Sequence, residues 1–168
     1  MRLGLAVLGL VFFTIFGYMV LQLSEIKYLN WERITYFNQY SILSFKHSGS
    51  YVPMLEHNFF YRLFAFNFRP LFFDVHTVLG FFASLENLLQ LAISLMALYF
   101  IIRYYKHIHF PKWIKTVLLF ALIASFLFIQ RYANLGIFMR TKIMFQPFVL
   151  IALFCIIRQG FTWHNSKN

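Results

Sequence analysis

Charge, and acidic charge above all, is what this 168-residue chain has least of: Asp and Glu total five, Lys and Arg fifteen, and charged residues make up 12% of the sequence. Set against 61% hydrophobic residues and a mean hydropathy of +0.67, that scarcity excludes an ordinary soluble domain of this size. The single cysteine, Cys155, excludes an intrachain disulfide and a cysteine metal cluster, and its apolar surroundings mark it as a small packing residue. No Gly-rich phosphate loop, nucleophile elbow or zinc signature occurs, so the common motif-borne chemistries have no foothold. Internal repeats and low-complexity tracts are missing as well.

What is present is four long apolar stretches with charge confined to the gaps between them. Leu3 to Ser24 runs 22 residues without a charged side chain. Val75 to Ile102 runs 28 residues with Glu86 as its one acid or base besides His76. Both exceed the ~20 residues that a hydrocarbon core requires. The first run is too long for a signal-peptide core, and no small-residue cleavage site follows it before Gln22, Ser24 and Glu25, so it reads as a retained span. Its Gly4, Gly9 and Gly17 offer places for close helix approach. Two further uncharged segments, Thr116 to Gln130 and Ile143 to Ile157, hold only 15 residues each. At 1.5 Å per residue each covers roughly 22 Å of a ~30 Å core, so they cross only if Lys115, Arg131, Lys142 and Arg158 snorkel or partly enter the membrane. The chain therefore reads as all-α and polytopic, one membrane domain over 1–168 with four transmembrane helices at about 3–23, 79–102, 114–132 and 142–158.

The loop from Arg103 to Lys115 carries Arg103, Lys106, Lys112 and Lys115 with no acid, which makes it cytoplasmic by the positive-inside rule. Four spans then place both termini in the cytoplasm and put Glu25 to Asp74 and Tyr132 to Thr141 outside. The same location accounts for the net charge of +10 through retention and anionic headgroups rather than nucleic acid. The outer segment, 25–74, holds 15 aromatic residues with one Gly and two Pro, and is expected to be ordered. Within it Ile26, Leu29, Ile34, Phe37 and Tyr40 approximate one helical face, His47 to Ser50 reads as a turn, and Asn58 to Phe73 suits an interfacial helix stopped by Pro70.

Glu86 is the sharpest single residue, since an ionisable group inside a span is costly and faces a partner or a polar cavity. Gln90 lies four residues on, and Ser84, Asn87 and Ser94 thicken a polar stripe that should face protein. Either the stripe fixes bundle geometry by interhelical hydrogen bonds, or it lines a ligand, proton or ion site. The outer hairpin from Gln130 to Lys142 concentrates Arg131, Arg140 and Lys142 around the turn formers Asn134 and Gly136. These cations serve either as snorkelling anchors or as a site for a lipid phosphate or pyrophosphate, which Arg69 would join. Glu86 is expected to pair with a hairpin cation, foremost Arg131. The acid–histidine pairs Asp74/His76 and Glu56/His57 are too close in sequence for a carboxylate to orient a general base and read as polar surface. His107 and His109 lack partners for a metal. No metal site, cofactor or catalytic set is visible, although a metal-independent enzyme acting on lipid-linked substrate stays open.

The segments FRPLFFDVHTVLGFFASLENLLQL and NLGIFMRTKIMFQPFVLIALF, and more weakly HSGSYVP, resemble the carboxy-terminal part of multi-span inner-membrane proteins of bacterial exopolysaccharide and O-antigen assembly. The resemblance covers about the last 100 residues and rests on Arg69-Pro70, Leu85-Glu86-Asn87 and the Asn134-x-Gly136-x-x-x-Arg140-x-Lys142 pattern. It implies a bacterial inner-membrane component of envelope polysaccharide or lipid-linked glycan assembly; with the residues singled out above, Arg69, Arg131, Arg140 and Lys142 would engage an isoprenoid phosphate, Glu86 would set their geometry, and Gln90 would complete the candidate ligand-binding set. The chain lacks most of the amino-terminal spans of those larger proteins, which points equally to a non-catalytic subunit docked to other membrane proteins. A small secondary transporter ranks third, for want of an inverted repeat or a broken-helix pair.

Overall fold

The computed structural model describes residues 2–23, 30–75 and 77–165. Glu25, Ile26 and Leu29 of the outer segment and His76 lie outside the described residues. The chain divides into two units, Met1–Tyr40 and Ser41–Asn168. All regular structure among the described residues is helical, apart from one isolated bridge between Tyr51 and Asn134.

The first unit contains α1, Arg2–Leu23, and most of α2, Trp31–Leu43. Helix α1 is apolar on every side, with Val7, Leu10, Phe12, Phe13, Phe16 and Met19 all exposed. A Cβ added at Gly9 or Gly17 meets nothing within 4 Å. Helix α2 opens on the Asn30 carbonyl, which accepts from the backbone N–H of Arg33 and Ile34, both at 3.1 Å. Glu32 in its first turn complements the helix dipole.

The second unit holds α3 (Phe59–Phe68), α4 (Val78–Tyr104), α5 (Lys112–Ile129), α6 (Leu135–Lys142) and α7 (Gln146–Asn165). Their starts are written in the sequence. Asn58 Oδ1 accepts from Tyr61 N at 2.9 Å, Thr77 Oγ1 from Gly80 N at 3.2 Å, and Asn134 Oδ1 from Gly136 N at 2.9 Å, each satisfying an N–H that the helix leaves unpaired. Pro111 stands at the cap of α5, and Pro147 in the first turn of α7, where a missing N–H costs nothing. Helices α4, α5 and α7 are each long and apolar enough to cross a membrane, which makes this a membrane protein.

Helices α4 and α7 run parallel with a fixed offset. Gln146 meets Glu86, and Tyr104 Oη lies 2.8 Å from His164 Nδ1, so both pairs are separated by 60 residues. Gly160 makes the close approach possible, since a Cβ there would fall 2.3 Å from the Phe100 ring. Helix α7 therefore begins beside the ninth residue of α4, roughly 12 Å along its axis. The level above is filled by other parts of the chain. Here α3 and α6 enter between the spans, and Phe66 of α3 is fully buried against Phe128, Phe138 and Phe145, with ring centroids 5.7, 5.3 and 6.4 Å away. At the other end Ala97, Phe100, Ile114, Ala152 and Ile156 pack the three long helices directly on one another.

Within the segment from Asn58 to Phe73, α3 packs Ala65 and Phe66 against α5, α4 and α6 and leaves Phe59 and Phe60 exposed. One expectation is revised. The last span begins at Gln146 rather than near 142 and continues past Arg158 to Asn165, because Lys142 closes α6 and Pro147 starts a new helix. The turn at His47 to Ser50 is present and is pinned to the α5–α6 connection: Asn134 Nδ2 donates to Ser48 Oγ at 2.9 Å and Val52 N to Ala133 O at 2.9 Å.

Candidate functional site

Helix α3 ends inside the bundle, which leaves its last carbonyls facing protein instead of water, where an unpaired carbonyl is costly. Lys142 and Asn87 satisfy them. Lys142 Nζ donates to Asn67 O at 3.1 Å, to Arg69 O at 3.5 Å and to Asn87 Oδ1. Asn87 Nδ2 donates in turn to Pro70 O at 2.9 Å. Both side chains are buried, Asn87 completely and Lys142 to 1% exposure. A cation at a helix C-terminus also gains from the dipole. Burial pushes the Lys142 ammonium down to about 8, with the charge of Glu86 working against that shift.

Arg69 is committed elsewhere. Its Nε donates to Asp74 Oδ2 at 2.8 Å, a second nitrogen to Asp74 Oδ1, and Nη1 to the Tyr61 hydroxyl at 2.8 Å. Asp74 also accepts from Leu71 N at 2.9 Å. Burial acts to raise the Asp74 carboxyl, but the Arg69 and Leu71 hydrogen bonds outweigh it and hold the group below its ordinary value. The hydrogen bond to Asp74, reduced by burial, holds the Arg69 guanidinium above its own. Asp74 is thus a buried partner of Arg69, with a side chain 5% exposed, and not the polar surface residue its place beside His76 suggested. Glu56 is exposed, while His57 lies against the Tyr61 ring at 4.0 Å.

Beside this ion pair opens a cavity of about 720 Å³, walled by the first turns of α4 at Leu79, Gly80 and Ala83 and by Leu135, Met139 and Arg140 of α6. Arg140 is exposed and has no hydrogen-bond or ion-pair partner among the described residues. Arg69 and Asp74 offset each other, which leaves Arg140 as the uncompensated charge on this cavity.

The six candidate residues therefore fall into separate places. Lys142 serves the packing around Pro70 and Arg69 pairs with Asp74, while Arg140, two residues before Lys142 on α6, lines the cavity beside that pair. Arg131 is exposed in the turn after α5. Gln90 is buried against a second cavity, of about 390 Å³. Of the polar stripe, Ser84, Asn87 and Gln90 face protein, whereas Glu86 is exposed on the flank of α4 and accepts from Gln146 Nε2 at 3.3 Å. Among the hairpin cations, Lys142 feels the charge of Glu86. Asn67 and Gln146 went unnoticed in the sequence, Asp74 was read as polar surface, and Asn87 was given a minor part. Gln146 carried a signal, a polar residue one helical turn after Lys142 at the head of an apolar run. Among the described residues no three of His, Cys, Asp and Glu come together to hold a metal. Comparison of the chain with protein-family models, curated proteins and solved structures gives no match in any of the three.

Proposed function

We propose that this membrane protein holds a lipid phosphate, an isoprenoid phosphate foremost, in the cavity beside Arg140, as a component of envelope polysaccharide or lipid-linked glycan assembly in a bacterial inner membrane. The observation that carries the reading is the Arg140 guanidinium, without a partner among the described residues, on a cavity whose wall combines the apolar Leu79, Ala83, Leu135 and Met139 with Ser50, Thr77 and the Arg69-paired Asp74. A guanidinium offers a fork of donors that fits phosphate oxygens, and the apolar wall suits the chain that follows the phosphate. Helix α1 is the fourth span: its 22 residues cover about 33 Å. With the basic loop from Arg103 to Lys115 inside, both termini are cytoplasmic and the Arg140 cavity opens to the outer face. The described part of the aromatic segment, 30–74, is ordered in this reading, since α3 contributes Phe66 to the core. The protein binds and presents the lipid in this reading.

A second reading, an accessory subunit of a larger membrane complex, draws on Glu86. Its neighbours Phe82, Leu85 and Leu89 are exposed apolar residues of a spanning helix, and a carboxylate on such a face favours a polar partner.

Cysteine labelling and lipid extraction test these readings together. A cysteine at Ser48 should react with an impermeant reagent from outside, and phosphate-bearing lipid should co-purify with the wild type but be depleted from Arg140→Gln. Labelling of Ser48→Cys from the cytoplasmic side overturns the orientation. Equal lipid phosphate in both proteins overturns the site.

A further inference from the structure

Gln90 is the one buried side chain of the α4 stripe that the packing leaves unfinished. It lies twelve residues beyond Val78, roughly 18 Å along the helix, and is 7% exposed. Its Oε1 is buried without a hydrogen-bond partner among the described residues, a condition that costs more than a typical hydrogen bond returns. The side chain lines an open-sided cavity of about 390 Å³ formed by residues of α3, α4, α5 and α7, a volume in the range of small-molecule sites.

The walls decide what such a site accepts. No charged side chain lines this cavity, so an ion entering it would be stranded in an apolar medium. Three other polar groups are present, and each has a partner. Ser125 Oγ donates to Asn67 Oδ1 at 3.3 Å, Asn67 Nδ2 to Leu63 O at 2.9 Å, and Gln146 Nε2 to Glu86 at 3.3 Å. Leu118, Ala121, Phe145 and Val149 supply an apolar wall. An alkane would leave Gln90 unsatisfied, and water would leave the apolar wall unfilled. A hydroxyl both donates and accepts, so it satisfies the Gln90 amide in either orientation. Leu122, on the rim, is exposed on a spanning helix, which places the entrance on the lipid side.

We propose that the Gln90 cavity binds an uncharged, membrane-soluble alcohol: an apolar body with one hydroxyl hydrogen-bonded to the Gln90 amide. The site shares no residue with the Arg140 cavity. The two therefore fill and fail independently.

The test compares retention of radiolabelled n-dodecanol and n-dodecane by the full chain in nanodiscs, corrected for empty nanodiscs. Wild type should retain the alcohol about tenfold better than the alkane, the scale of one hydrogen bond to a buried group. Gln90→Leu should lose that preference without a lower melting temperature, since it removes an unsatisfied group. Ala121→Phe, which fills the cavity from another wall, should abolish retention of both probes. Arg140→Gln should leave the alcohol preference unchanged, whatever it does to lipid phosphate. Equal retention of the two probes by wild type overturns the proposal, as does a preference that survives in Gln90→Leu or retention that survives in Ala121→Phe.

Discussion

Lys142 should make the stability of this protein rise with alkaline pH. Its ammonium is buried between the end of α6 and the last carbonyls of α3, and burial pushes it from the ordinary lysine value of 10.5 to about 8. Below about pH 8 the group is charged in both folded and unfolded chains. Between about 8 and 10.5 the unfolded chain holds a proton that the folded chain has released, so stability climbs with pH across that window. Over the full window the gain is about 3 kcal/mol, at about 1.4 kcal/mol per pH unit. Equilibrium unfolding in mixed micelles at pH 7 to 10.5, followed by far-UV circular dichroism, reads it directly. Lys142→Met should remove the rise. At pH 7 the same variant should lose about 1–3 kcal/mol, because Asn87 Oδ1 and the Asn67 carbonyl lose their donor. Adding Asn87→Leu should cost less than the two single losses combined, since the pair is then replaced together by apolar groups. A flat profile in wild type, or a rise that persists in Lys142→Met, refutes the reasoning.

Gly160→Ala places a Cβ 2.3 Å from the Phe100 ring and should destabilise the α4–α7 contact by about 1–3 kcal/mol, read as a lower melting temperature in detergent. Asp74 should make the fold acid-sensitive: its folded carboxyl lies below 3.8, so its contribution is complete above that pH and is lost as pH falls through the folded value. Asp74→Asn should flatten the acid limb of a stability–pH curve and strip Arg69 of its ion pair. Asn134→Ala removes both the cap of α6 and the bond to Ser48, at about 1–2 kcal/mol, and should speed proteolysis around His47 to Ser50.

The long spans were legible because long apolar runs nearly free of charge have few other uses, and α4 and α5 lie within two or three residues of the expected bounds. The start of α7 was not. Lys142 looks like a snorkelling anchor in sequence, and only the return of α6 into the bundle turns it into a buried donor to α3. The stripe on α4 was visible by spacing, yet the ranking within it inverted: the ionisable Glu86 drew attention, while burial fell on Asn87 and Gln90. Composition identifies a polar residue in an apolar run but not which side of the helix meets protein. Arg69 was grouped with the hairpin cations for its place just before span two, while its partner Asp74, five residues on, was read as polar surface beside His76. A guanidinium takes the nearest carboxylate its backbone turn allows, and that turn around Pro70 is a tertiary feature.

The affinity of the purified protein in nanodiscs for farnesyl phosphate, measured beside Arg140→Gln and Arg131→Gln, tests the lipid-phosphate site most directly. Wild type and Arg131→Gln should bind alike, and Arg140→Gln should bind at least about tenfold more weakly, the loss expected for charge-assisted hydrogen bonds. Equal affinity in all three proteins, or a loss confined to Arg131→Gln, would contradict the account.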